Sequence, residues 1–93
     1  MLKELKDKLK VTWNDEDGDL QRSLESGKEY LDGIAGTSLN FETSSFNKEL
    51  LFEYCRYSYN NAIEYFEENF QRQLIQLQIQ NVNLKEEYGE NLC

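Results

Sequence analysis

The one run that looks like a metal loop is Asp15-x-Asp17-x-Asp19. Alternating carboxylates ligate calcium when a glycine at the sixth loop position makes the turn and a glutamate at the twelfth closes the shell. Counted from Asp15, those positions hold Leu20 and Ser26. The run reads instead as an acidic helix start, with carboxylates at the positive end of the helix dipole. Histidine is absent, which removes the commonest general base and transition-metal ligand. Cys55 therefore has no Cys–His partner and reads as a small core residue. The acid pairs Glu67-Glu68 and Glu86-Glu87 are adjacent, and neighbours on a helix point in different directions, so neither forms an acid/base dyad. Gly33-x-x-Gly36 is a helix end, not a phosphate loop. No catalytic residue, metal ligand or cofactor is expected, and the chain is not expected to be an enzyme.

Two other groups of side chains suggest contacts rather than chemistry. Tyr54, Tyr57, Tyr59, Tyr65 and Phe66 crowd one predicted helix and cannot all face one core. Tyr54, Ser58, Ala62, Tyr65 and Phe66 take the inward side. Tyr57 and Tyr59 point partly elsewhere, either to another subunit, where rigid rings bury area at little entropic cost, or to a second helix of the same chain. The first ten residues carry Lys3, Lys6, Lys8 and Lys10 against Glu4 and Asp7 in a chain of net charge −8. That basic end either meets an acidic surface on a partner or solvates one helix face.

The elements that must position these groups read as helices. Leu2, Leu5 and Leu9 recur at helical spacing over 2–10. Val11-Thr12-Trp13 reads as an extended linker that tucks its indole onto the core. Asn14 or Asp15 caps the second helix, whose apolar series is Leu20, Leu24, Gly27, Leu31 and Ile34 or Ala35. Gly27 on that face implies close approach of another helix. Gly33 and Gly36 mark its end. The polar stretch 36–45 is a loop anchored by Leu39 and Phe41, and Ser44 or Ser45 caps the third helix. This long central helix is expected over about 46–68, with Glu53, Arg56, Asn60, Glu64 and Glu67 on its outer face. In 69–82, Phe70, Leu74, Leu77 and Asn81 form one helical stripe edged by Ile75, Ile79 and Val82, so a helix kinked near Asn69 is favoured over an alternating strand. Residues 83–93 are polar and acidic and read as a flexible tail.

The expected fold is thus all-α: a small bundle of about four helices with a long central helix. One domain spans 1–82 and a tail spans 83–93. At 93 residues and 39% hydrophobic content the chain can build one modest core. The acidic body argues against ordinary DNA binding, since phosphate contacts need cations. Two cysteines without a framework fit a reducing compartment. Neither a signal peptide nor a membrane span is expected.

The stretch Tyr57-Ser58-Tyr59-Asn60-Asn61-Ala62-Ile63-Glu64-Tyr65-Phe66-Glu67-Glu68-Asn69-Phe70, followed by Leu74-Ile75-x-Leu77-x-Ile79, resembles the phage head–tail connector (head–tail adaptor) family. Leu2-x-x-Leu5-x-x-x-Leu9-Lys10-Val11, the acidic turn, Asp19-Leu20-x-x-x-Leu24 and Tyr30-Leu31 agree with how such proteins begin, and the likeness covers 2–82. Many members carry an arginine where this chain has Ala62, so that arginine's role is not carried over. The resemblance implies a virion structural protein made in the bacterial cytoplasm or encoded by a prophage. It implies a ring of about a dozen copies under the portal protein, joined to the next head-completion or tail protein. Genomic DNA would pass through the channel without specific binding. Lys3, Lys6, Lys10, Tyr57, Tyr59 and Asn60 are the candidate subunit or portal contacts. Glu53, Glu64 and Glu67 are the candidate channel-facing acids, whose charge would repel phosphate. The competing reading is a small acidic helical regulator, such as a DNA mimic that inhibits a host protein.

Overall fold

The computed structural model describes the backbone of residues 1–92 and the side chains of 1–81; of the expected tail, 83–93, the backbone of 83–92 continues the last helix rather than departing from it at 82. Every regular element among the described residues is a helix. They are α1 (Leu2–Leu9), α2 (Asp17–Ala35), α3 (Ser45–Tyr59), a 3₁₀ turn (Ile63–Tyr65), α4 (Phe66–Asn69) and α5 (Gln71–Leu92).

The α1 helix lays Leu5 fully into the core with Leu2 and Leu9 half-buried beside it, as the leucine spacing predicts. It stops at Lys10, which takes left-handed angles (φ 61°). The Val11 N–H then bonds back to the Lys6 carbonyl at 2.9 Å, which drives Val11 into the core. Trp13 does not go with it. The residue is 48% exposed, and Nε1 donates to Glu16 Oε2 at 2.5 Å. Val11 takes the buried place, and the indole N–H finds its acceptor at the surface.

The core face of α2 is Leu20, Leu24, Gly27, Leu31 and Ala35, the series read from spacing. Neither Asn14 nor Asp15 caps it; the helix begins after Glu16 without a side-chain cap. The turn is made by backbone instead, Asp17 N–H to the Asn14 carbonyl at 3.2 Å. Gly36 ends the helix at φ 75°, a conformation that suits glycine. Asp32 secures the exit: its carbonyl accepts from Gly36 and its carboxylate accepts from the Leu39 N–H at 3.0 Å. Phe41 anchors the loop, and Asn40 Oδ1 accepts the N–H groups of Glu42 and Thr43. Ser44 caps α3 by accepting the Asn47 N–H at 3.2 Å. Asn47 is buried but satisfied, since its amide donates to the Asn40 carbonyl.

The long central helix expected over 46–68 is two pieces. The α3 helix ends at Tyr59, and Asn61 adopts φ 57°. Ala62 N–H reaches back to the Tyr57 carbonyl at 2.8 Å and Asn61 N–H to that of Ser58 at 3.1 Å. This pair of bonds is a Schellman stop. The cause is local. Asparagine is a poor helix former that tolerates left-handed angles. Asn60 also turns its own amide onto the Arg56 carbonyl at 2.9 Å, competing with the helical ladder. The chain then folds back through the 3₁₀ turn and α4, so that Phe66 is buried under Tyr30, Tyr54 and Tyr57. Tyr65, expected inward on an unbroken helix, is 55% exposed because the break rotates it outward.

The predicted kink near Asn69 is present at Phe70, which caps α4 just before α5 begins. Its inner stripe is Phe70, Leu74, Leu77 and Asn81, as read from spacing, with Leu77 fully buried. The two parts of the bundle meet where Phe70 stacks on Phe66 (centroids 5.0 Å apart) and edges onto Tyr57 (5.6 Å).

Candidate functional site

The basic N-terminal helix is mostly engaged with its own chain. Lys6 Nζ lies 2.8 Å from Asp17 Oδ1 and 2.7 Å from Asn14 Oδ1. Lys8 bridges Glu49 (2.9 Å) and Glu53 (3.2 Å) on α3, and Lys48 of α3 returns to Glu4 at 2.9 Å. The candidate contacts therefore separate. Lys3 and Lys10 are exposed and, among the described residues, have no carboxylate within ion-pair distance. Lys6 is a clamp between α1 and the start of α2.

Tyr57 and Tyr59 are likewise held inside the chain. Tyr57 packs on Phe66 and Phe70, and its hydroxyl accepts from Asn69 Nδ2 at 3.0 Å. The Tyr59 hydroxyl donates to Glu16 at 3.1 Å, tying the end of α3 to the start of α2. Both rings thus have partners on a second element of the same chain, and both remain half-buried. Asn60 is exposed and forms part of the helix stop.

The three candidate channel acids do not share one helix face, because the break at Asn61 separates them. Glu53 is half-buried and accepts from Lys8 and Arg56. Burial works against its charge, but the Arg56 and Lys8 hydrogen bonds outweigh burial and hold the carboxyl below its usual range. Glu64 and Glu67 are exposed and sit beyond the break.

The acidic run that resembled a metal loop is spent on ion pairs, Asp17 with Lys6 and Asp19 with Arg22. Among the described residues no group of three His, Cys, Asp or Glu could hold a metal, and no helix is long and apolar enough to cross a membrane. Cys55 is fully buried, and burial pushes its thiol up to about 12, far from a reactive thiolate at neutral pH.

Two surface features remain. One is the outer edge of α5, where Ile75 and Ile79 are 48% and 60% exposed one turn apart. Their place at the edge of the stripe was legible from spacing; their exposure was not. The other is a cleft of about 290 Å³ lined by Tyr30, Tyr54, Ile63, Glu64, Phe66 and Glu67. Its residues come from α2, α3 and the segment after the break, and only the fold-back at Asn61 brings them together. No local sequence signal announces it. Within it the Tyr30 hydroxyl donates to Glu67 Oε2 at 2.9 Å. Burial, then the Glu67 carboxylate, push the Tyr30 hydroxyl up to about 12.

No family model, curated protein or solved structure matches this chain.

Proposed function

We propose that this chain is a head–tail connector of a tailed phage, a structural protein that assembles as a ring under the portal and extends the DNA channel. The observation that carries the reading is the outer edge of α5. Ile75 and Ile79 stand open to solvent within 73–81, a stretch without a charged residue in a chain of net charge −8. Copies of an acidic protein repel one another over most of their surface, so a neutral apolar strip is where they can approach. The resemblance over 2–82 supplies the particular assembly, and exposed Lys3 and Lys10 supply a basic end that differs from the acidic body. Two unlike surfaces are what a head-to-tail ring needs. The acidic charge suits a channel that DNA must slide through without sticking.

The test is mass by light scattering, for the protein alone and mixed with its phage's portal protein. A ring in either condition, abolished by Ile75→Glu with Ile79→Glu, is the expected result. A monomer or dimer that ignores the portal overturns the reading. It would move the chain to the acidic regulators, which compete with DNA for a basic protein.

A further inference from the structure

The cleft formed by the fold-back has a floor of mutually packed aromatic rings and an acidic lip. The Tyr30 and Tyr54 ring centroids are 5.5 Å apart, and Phe66 closes the triangle at 6.1 and 5.5 Å. Phe66 is buried, while the two tyrosines are half-buried and offer ring surface to the cleft. Ile63, 39% exposed, forms an apolar rim. Glu64 and Glu67 bring two carboxylates, and none of the lining residues is basic. Among the described residues no cation lies within ion-pair distance of either carboxylate. Glu67 is held by the Tyr30 hydroxyl, which fixes one oxygen and leaves the other free to accept.

The combination selects its occupant. An anion is repelled by two carboxylates. A neutral apolar group would fill the rings but leave the acids unpaired. A hard metal ion needs more oxygen ligands than two carboxylates and a hydroxyl supply. A guanidinium has weakly hydrated faces that stack on aromatic rings and edge donors that match a carboxylate. An ammonium is compact and strongly hydrated, so it gains less from the rings. The chain makes the same set once within itself: the Arg56 guanidinium lies 5.1 Å over the Tyr57 ring while pairing with Glu53.

We propose that the cleft between α2, α3 and α4 is a recognition site for an arginine side chain on the surface of a partner protein. Charge complementarity and ring geometry carry it, and it does not depend on the connector reading. Two of the acids assigned to a channel wall, Glu64 and Glu67, then serve a protein contact.

The test is a titration of the ¹⁵N-labelled full chain with the capped tripeptide Gly-Arg-Gly, monitored by amide shifts. Its controls are the same peptide with citrulline, the neutral isostere of arginine, and with lysine. One side chain should bind with a dissociation constant on the order of 1–10 mM. Saturable shifts should centre on Tyr30, Tyr54 and residues 63–67, with lysine several-fold weaker and citrulline silent. Glu64→Gln with Glu67→Gln should weaken binding at least about tenfold. Glutamine at 67 can still accept the Tyr30 proton, and Glu64→Gln alone, at an exposed position, provides a second variant that keeps the fold. Citrulline or lysine binding as well as arginine, shifts centred elsewhere, an unaltered affinity in the variants, or no saturable shift would each overturn the assignment.

Discussion

Gly27 of α2 lies against Leu51 of α3 so closely that a Cβ built on the glycine would stand 2.7 Å from Leu51 Cδ1, and 2.9 Å from Tyr54 Cδ1. Leu51 is fully buried, so its side chain would have to shift within a packed core. Alanine at 27 gains about 1 kcal/mol of helix propensity. It loses about 1–3 kcal/mol to overpacking. Gly27→Ala should therefore destabilise by about 1 kcal/mol net, and Gly27→Val by more. Gly33 sits in the same helix with nothing within 4 Å of its built Cβ. Gly33→Ala should stabilise by about 0.5 kcal/mol. Urea denaturation of the two alanine variants checks the opposite signs; equal signs would mean the helices do not meet as described.

Lys10 holds left-handed angles at the end of α1, which cost a side-chain-bearing residue roughly 1–2 kcal/mol. Lys10→Gly should raise stability by about 1 kcal/mol. The same variant removes a basic group proposed for assembly, so its melting temperature should rise while ring formation with the portal weakens. If stability is unchanged, the left-handed stop is not formed in solution.

Asn61, at φ 57°, stops α3. Asn61→Gly should be neutral or slightly stabilising, whereas Asn61→Val should cost about 1–2 kcal/mol. The measurement is the denaturation midpoint, with aromatic ring-current shifts of Phe66 and Phe70 reporting whether the fold-back survives. A stabilised valine variant would indicate the continuous helix.

Glu53 sits between Lys8 and Arg56, and its carboxyl is held below the ordinary glutamate value of 4.5. Below that value the unfolded chain takes up a proton before the native chain does. The stabilisation is thus fully present above about pH 4.5 and drains away as the pH falls through the depressed native value. Because the group is partly screened by solvent, its share is about 0.5–1 kcal/mol. Glu53→Gln should lower stability at pH 7 by that amount and flatten the loss as the pH falls from neutral through the depressed native value. Thermal melts across that range decide it; parallel curves would show that the pair contributes nothing.

Much of the scaffold was legible in the sequence, because the face a helix buries is a matter of spacing. Leu20, Leu24, Gly27, Leu31 and Ala35, and Phe70, Leu74, Leu77 and Asn81, are on the sides that their periods assign. Ser44 is the cap, and Phe41 anchors the loop. The places where sequence reasoning failed share a cause. A three–four rhythm runs through Asn60 and Asn61 as though they were neutral, so the stop and the outward turn of Tyr65 were not visible. Trp13 was placed by its hydrophobicity, yet its N–H found Glu16. The destination of Lys6, Lys8, Tyr57 and Tyr59 depended on which side chains the fold brings near, and spacing carries no information on that. The cleft was hidden for the same reason, since Tyr30 is far in sequence from Glu64 and Glu67.

The fold-back at Asn61 also bears on the order in which this molecule is built. Tyr57, Phe66 and Phe70 meet within one short segment of chain, so the loop they close is small and its entropic cost low. Packing α1 onto α3 through Lys8 and Glu49 joins residues far apart in sequence. Contacts of short range form early when chains fold. The aromatic knot should therefore be the seed of the structure and α1 its last piece. Truncations at Phe66 should slow folding, while truncations at Leu5 should chiefly speed unfolding.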